Sequence, residues 1–387
     1  MATRVIGNIA ELTTNDPTFG DESPMGRMTN AALVLDDERV LWAGPNAQAP
    51  DADEFIDAAG RAVVPGFVDS HTHLVFAGER SREFEARMAG ERYDGGGIAL
   101  TVNATRAASS GQLRALTAHR AEQMRLGGVT TMEIKSGYEL SVEGEARLVG
   151  IAAEFTDEVT FLGAHVVPAE FAHDRDGYVE LVKGEMLERC KVRARWADVF
   201  CDRGAFSVDE AREVLVAARD AGLELRLHGN QLGETGAIRL ALELDAASVD
   251  HCTFVSDSDV ALLAGSGTVA TLLPGAEFST RSRYPSGRRL IDAGVSVAIA
   301  TDCNPGSSYV TSMGFVIALA VREMSMTPDE ALWCATLGGA RALRRDDIGH
   351  LAAGARADVL ILDAPRAAHL AYRPGASLVA ASFRGAR

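Results

Sequence analysis

The sequence predicts an α/β chain: a TIM-like (β/α)8 barrel with a small β-sandwich formed by the N- and C-terminal segments. Three observations carry that prediction. Short apolar runs alternate with amphipathic segments to give eight strand candidates between Val64 and Ala300. Histidines and carboxylates follow the ends of several of those runs, where a barrel gathers its chemistry. The two ends of the chain return to strand texture. The expected boundaries are 1–64 and 349–387 for the two parts of the sandwich and 65–348 for the barrel. A length of 387 residues suits one large core with an accessory domain.

In the N-terminal part, Ala31–Leu35 and Arg39–Gly44 flank the polar triplet Asp36-Asp37-Glu38, the pattern of a hairpin. Arg61–Val64 is a further strand, and Pro65-Gly66 marks a bend. The barrel strands are expected at Val64–Val68, Gly128–Ile134, Glu158–Gly163, Ala197–Phe200, Leu223–Leu227, Ser248–Asp250, Thr268–Leu273 and Val295–Ala300. Helical segments such as Gly111–Leu126 and Ser207–Ala221 separate several of them. Ala357–Leu362 is expected to rejoin the N-terminal strands.

Composition narrows the function classes. Hydrophobic residues make up 47% and charged residues 24%, ordinary for a soluble globular chain. The net charge of −16 argues against nucleic acid and anionic membrane surfaces as partners. It leaves a small-molecule substrate, even an anionic one, because local arginines can override the global field. Cys190, Cys201, Cys252, Cys303 and Cys334 are scattered without a CxxC, so neither a disulfide framework nor a cysteine zinc site is expected. Residues 1–16 lack a signal-peptide pattern, and no apolar run of about 18 residues occurs, so a cytoplasmic protein is expected.

The strongest local signal is Val64–His73. Side chains in a strand alternate faces, so His71 and His73 point the same way, about 7 Å apart. Two imidazoles so placed can grip one metal ion. Past the later strands come Lys135–Tyr138, His165, His228, His251 and Asp302. Imidazoles with one carboxylate suit zinc or ferrous iron. His165 and His228 also fit satisfied core histidines, His251 a loop-orienting role and Asp302 a turn or cap. Cys252 and Cys303 adjoin His251 and Asp302 but face the other way along a strand, which reads as packing. His119, His173, His350 and His369 lie on helical or loop stretches and read as surface residues.

The pattern Pro65-Gly66-x-x-Asp69-x-His71-x-His73 resembles the first barrel strand of the amidohydrolase superfamily. Further stretches sharpen the resemblance: His71–Arg80, Tyr93 before Gly95-Gly96-Gly97-Ile98, Thr101–Arg106, Glu133–Tyr138, Phe161–His165, Asp198–Cys201, Leu272–Ala276 and Ala300–Ser307. Together they are similar to the superfamily members that open 4-imidazolone-5-propanoate to N-formimidoyl-L-glutamate in histidine degradation. The likeness runs from about residue 30 to the C-terminus.

The resemblance implies a metal site of His71, His73, His228 and Asp302, holding one divalent zinc or iron ion per subunit. Two-metal members carry a bridging carboxylated lysine, and the strand Glu158–Gly163 offers none. Arg80, Tyr93, Tyr138, His165, Asn304, Gly306 and Ser307 are implied around the substrate. A guanidinium holds a carboxylate with two parallel hydrogen bonds, which suits Arg80 to the propionate; an ion pair with Glu79 or Glu83 is its plainer alternative. Catalysis falls to Asp302 as proton carrier, His251 as the group polarising the carbonyl, and Gln231. Some members have a glutamate at the Gln231 position, and an amide can orient a water but cannot deprotonate it. The family commonly forms homodimers. Another mononuclear amidohydrolase, a deaminase or cyclic-amide hydrolase, is the alternative activity. The role of Lys135 stays open at this level.

Overall fold

A computed structural model describes residues 2–91 and 97–386. Tyr93, expected at the substrate, falls outside the described residues. In chain order the strands are β1 (Arg4–Thr13), β2 (Arg27–Leu35), β3 (Val40–Pro45), β4 (Glu54–Asp57), β5 (Ala62–Pro65), β6 (Phe67–Asp69), β7 (Val129–Met132) and β8 (Ile134–Lys135). They continue with β9 (Val159–Ala164), β10 (Trp196–Cys201), β11 (Glu224–Gly229), β12 (Ser248–His251), β13 (Val269–Leu272), β14 (Val297–Ile299), β15 (Val359–Leu362) and β16 (Val379–Phe383). The chain forms two compact units.

One unit comprises the chain up to Asp69, Met124–Thr131 and the chain from Ser312 onward. Its seven-stranded mixed sheet has the order β16-β15-β5-β1-β2-β3, with β4 added in parallel to β1. The expected hairpin is β2–β3, paired antiparallel from Ala31↔Pro45 to Leu35↔Val40. Its turn is set by Asp36, whose Oδ1 accepts the N–H groups of Glu38 and Arg39 at 2.8 and 2.6 Å. The two ends of the chain meet where β15 pairs antiparallel with β5, Leu360 opposite Val64. Ile6, Ile9, Leu12, Leu33, Val63 and Val359 belong to one apolar cluster of this unit. At the bend before β6, a Cβ on Gly66 would lie 2.3 Å from the Thr130 hydroxyl, so only glycine fits there.

The other unit, Ser70–Gln123 with Met132–Thr311, carries the site. Its sheet is seven parallel strands in the order β14-β13-β12-β11-β10-β9-β8. Most of these residues are buried, which explains why the sequence shows near-continuous apolar runs rather than alternation. The helix Val208–Asp220 crosses between β10 and β11. It begins at Ser207, which forms a reciprocal capping box with Glu210. That element lies where the sequence placed it, and so does the helix Ser110–Leu126.

Three elements differ from expectation, and the first is Val64–Val68, which is divided at Gly66 between β5 and β6. Strand β6 ends at Asp69, so His71 and His73 lie beyond it. The segment is still extended, because Thr72 bridges Cys303 in parallel, and His73 N–H donates to the Cys303 carbonyl at 3.0 Å. On the other side Lys135 N–H donates to the Thr72 carbonyl at 2.9 Å. The expected strand Gly128–Ile134 is split into β7 and β8 at Glu133, which turns its carboxylate inward to accept Thr72 N–H at 3.0 Å.

Candidate active site

Four side chains converge at the strand ends. His228 Nε2 lies 3.3 Å from His73 Nε2, and Asp302 Oδ1 lies 3.5 Å from both His71 Nε2 and His73 Nε2. All four residues are buried. Zinc–nitrogen bonds of about 2.0–2.1 Å in a tetrahedron set neighbouring donors about 3.3 Å apart. Those three separations suit one such ion; His71, His73 and Asp302 form one candidate metal group. His251 is also near: ligand atoms of His71, His228 and His251 lie within 4.8 Å of one another. Neither Cys252 nor Cys303 enters a candidate metal cluster among the described residues. All five cysteines are buried, and none is in a disulfide.

Buried carboxylates hold the imidazoles from behind. Asp250 Oδ2 lies 2.6 Å from His71 Nδ1, and Asp198 Oδ2 lies 2.9 Å from His228 Nδ1. A carboxylate can only accept, so His71 Nδ1 carries the proton and its Nε2 turns its lone pair toward the ion site, while Asp198 Oδ2 stands beside His228 Nδ1 as an ion-pair contact. Burial opposes ionisation of Asp250 and Asp198. Arg226 and Lys135 outweigh it at Asp250, and His228 and Lys135 outweigh it at Asp198, so both carboxyls are held below their usual range. His71 and His73 are pushed well down by burial, with the charge of Lys135 adding to the effect. Neutral imidazoles are the form a metal binds.

One cavity is lined by ten of the expected residues: His73, Arg80, Tyr138, His165, His228, Gln231, His251, Asp302, Asn304 and Ser307. His165 stacks on His73 with ring centres 5.4 Å apart, and Tyr138 packs 5.2 Å from His165. His165 Nδ1 stands 2.9 Å from the Gly137 carbonyl. Gly137 has φ +107°, and a Cβ there would meet that ring nitrogen at 2.9 Å, so the Lys-Ser-Gly-Tyr run needs its glycine. The buried Glu145 carboxylate shapes the same loop by accepting the N–H groups of Gly137, Glu139 and Leu140.

Arg80 lines the cavity and is also paired with Glu83, through Nε at 2.7 Å and Nη2 at 2.5 Å. The ion-pair alternative and the pocket position therefore coexist. Gly306 does not line the cavity but sits between two arginines. A Cβ there would meet Arg80 Nη1 at 2.3 Å, and its carbonyl accepts from Arg87 Nη2 at 2.8 Å. Asn304 is a turn former: its Oδ1 accepts the N–H groups of Gly306 and Ser307 at 2.8 Å, and its Nδ2 donates to the Asp302 carbonyl. Ser307 Oγ donates to Asp302 Oδ2 at 3.3 Å. Gln231 is placed by Asp202, which accepts its N–H at 2.7 Å.

The residues around the donor set are tuned by burial. Burial pushes His165 and His251 down to about 3, which keeps both neutral at ordinary pH. Asp302 is pushed well above the carboxylate range by burial, opposed by its Asn304 and Ser307 hydrogen bonds. His251, Asp302 and Asn230 also take positive φ angles, 79°, 52° and 57°, at the ends of β12, β14 and β11. Such backbone persists where the surroundings over-determine it, and it clusters at working sites.

Sequence reading missed Asp198, Asp250, Arg226 and Glu277 as parts of the site. Asp198 and Arg226 sit inside apolar strands, which was the available signal, since a buried charge is costly unless paired. Glu277 is buried, accepts from the Thr253 hydroxyl at 2.7 Å, and is pushed up to about 8 by burial. Among the expected surface histidines, His119 and His173 are exposed, while His350 and His369 are half-buried.

Residues 62–385 match the model of the amidohydrolase family. The chain is 60% identical over 384 residues to an imidazolonepropionase of Mycolicibacterium smegmatis, covering 99% of this chain and 97% of that protein. It is 59% identical over 381 residues to an imidazolonepropionase of Streptomyces coelicolor, covering 98% and 97%. Among solved structures it is similar in fold to atrazine chlorohydrolase from Arthrobacter aurescens TC1 complexed with zinc. That match has a TM-score of 0.75 and 17% identity and covers 98% of this chain and 93% of the other. An adenosine deaminase from Xanthomonas campestris with bound zinc gives a TM-score of 0.71 and 18% identity, covering 98% and 91%.

Proposed function

The chain belongs to the amidohydrolase family and, within it, to the imidazolonepropionases, and from that premise we propose that it hydrolyses the ring C–N bond of 4-imidazolone-5-propanoate to give N-formimidoyl-L-glutamate. The observation that carries the reading is the donor set: His228 Nε2 at 3.3 Å from His73 Nε2, and Asp302 Oδ1 at 3.5 Å from the Nε2 atoms of His71 and His73, beside a cavity that also holds an arginine.

His71, His73, His228 and Asp302 hold one divalent zinc or iron ion per subunit in this reading. The chemistry such an ion supplies is Lewis acidity toward a water and a carbonyl oxygen. Asp302 takes the proton that the water gives up as its oxygen bonds to the ring carbonyl carbon. It then delivers that proton to the ring nitrogen as the C–N bond breaks. His251, neutral, donates a hydrogen bond to the developing oxyanion. Gln231 orients the water or the ring by hydrogen bonding. Arg80 takes the propionate, and Tyr138 and His165 form the wall against the ring. Asn304 and Gly306 keep the loop in shape, and Ser307 steadies Asp302.

The same reading includes a closed (β/α)8 barrel over 65–348, a small β-sandwich from 1–64 and 349–387, and a cytoplasmic homodimer. No helix among the described residues is long and apolar enough to cross a membrane.

The test is a coupled assay. Purified protein of known metal content is given freshly generated 4-imidazolone-5-propanoate, with His228→Ala as control. Loss of imidazolone absorbance with appearance of N-formimidoyl-glutamate, absent in the variant, supports the reading. A metal-loaded protein without turnover sinks the substrate and directs the search to other heterocyclic amides.

A further inference from the structure

Lys135 is a charged residue that the mechanism above leaves unused. It is fully buried at the end of β8, where an unpaired cation is strongly disfavoured. Its ammonium lies 2.8 Å from Asp198 Oδ2, 2.9 Å from Glu133 Oε1 and 3.9 Å from Asp250 Oδ2. Each of those carboxylates grips a different part of the donor set. Asp198 stands against His228 Nδ1, and Asp250 against His71 Nδ1. Glu133 accepts the backbone N–H of Thr72, the residue between His71 and His73, with its other oxygen, Oε2.

We propose that Lys135 is a positioning residue for the metal site: one compact cation that fixes three carboxylates and through them the spacing of the His71, His73 and His228 nitrogens. The residue type fits the task. An ammonium is a point charge with three donors that can be shared among carboxylates in different directions, whereas a guanidinium is a flat fork suited to one. Arg226, whose Nη2 lies 3.4 Å from Asp250 Oδ2 and 2.7 Å from the Ser70 carbonyl, adds a second buried cation beside Asp250. Without Lys135 the three carboxylates repel one another and lose their common anchor, so the imidazoles behind them lose their orientation.

The proposal rests on His71, His73, His228 and Asp302 being the metal ligands, and its test needs no substrate. Metal-free protein is titrated with Zn²⁺ in competition with a chromophoric chelator, comparing the parent with Lys135→Met and with the double variant Lys135→Met/Glu133→Gln. The double variant removes one charge of each sign and so recovers the thermal stability that the single variant loses. Both variants are expected to bind Zn²⁺ about 10–100-fold more weakly. In the assay above, kcat falls while KM stays put, because no substrate contact is touched.

Zinc affinity in a folded Lys135→Met within about threefold of the parent overturns the proposal, as does a double variant that regains affinity together with stability. If neither variant folds, Lys135 is a structural counter-ion and the proposal also falls. A parent that binds no zinc overturns the ligand set itself, whereas a parent and variants that bind it equally overturn only the positioning role.

Discussion

The two ends of the site are built on different principles. At the donor end, His71 and His228 each face a buried carboxylate, and the Lys135 ammonium lies 2.8 Å from one of these, Asp198, and 3.9 Å from the other, Asp250. At the substrate end, placement comes from turn chemistry. Asn304 folds its own loop, Asp202 gathers the N–H groups of Gln231 and Leu232, and Arg80 leans on the half-exposed Glu83. Buried charge networks tolerate little displacement, because breaking one leaves an uncompensated charge at a cost of about 3–5 kcal/mol. Loops held by turns can change residue by residue while the scaffold stays fixed. The position where some family members carry a glutamate, here Gln231, lies at the tolerant end.

That contrast breaks most visibly at Asp302, which belongs to both ends. Asp302→Asn is expected to lower kcat by about 10²–10⁴-fold and to reduce bound metal, read by steady-state kinetics and metal analysis. A variant that keeps most of its turnover would move the proton carrier elsewhere. Next comes Asp198→Asn, which leaves His228 without its acceptor. Metal affinity is expected to fall about 10–100-fold with KM unchanged, measured by chelator competition.

Arg80→Met sharpens the contrast from the other side. Losing a charge-assisted hydrogen bond of about 1.5–3 kcal/mol is expected to raise KM at least tenfold, with metal content untouched. An unchanged KM would assign Arg80 to the Glu83 pair alone. A further effect concerns stability. His165 and His251 are pushed down to about 3 from an ordinary 6.5. As pH falls below 6.5 the unfolded chain takes up protons that the folded chain refuses. Their contribution is therefore complete above that pH and drains away toward pH 3. The Tm of metal-free protein should drop between pH 7 and pH 4, and His165→Gln should flatten the slope. A slope equally steep in the variant would remove His165 from the account.

Much of this was legible in the chain. The hairpin turn at Asp36 and the helix after Ser207 are local patterns, and each lies where periodicity or turn chemistry put it. The break at Glu133 was not legible, because an apolar run with one acid reads as a continuous strand until the acid has somewhere to point. The dual position of Arg80 was equally hidden: both its uses were foreseeable, but not that Glu83 and the pocket would share one guanidinium.

By itself the sequence determined which groups are available and at which strand ends they emerge, since side-chain periodicity and burial are encoded by near neighbours. Tertiary structure decided which of them meet. Asp250 reaches His71 across 179 positions, His228 reaches His73 across 155, and Lys135 meets Asp198 only once β8 to β12 lie side by side. No local pattern encodes those pairings. They follow from the order of strands in the sheet and from the cost of leaving any of these buried charges alone.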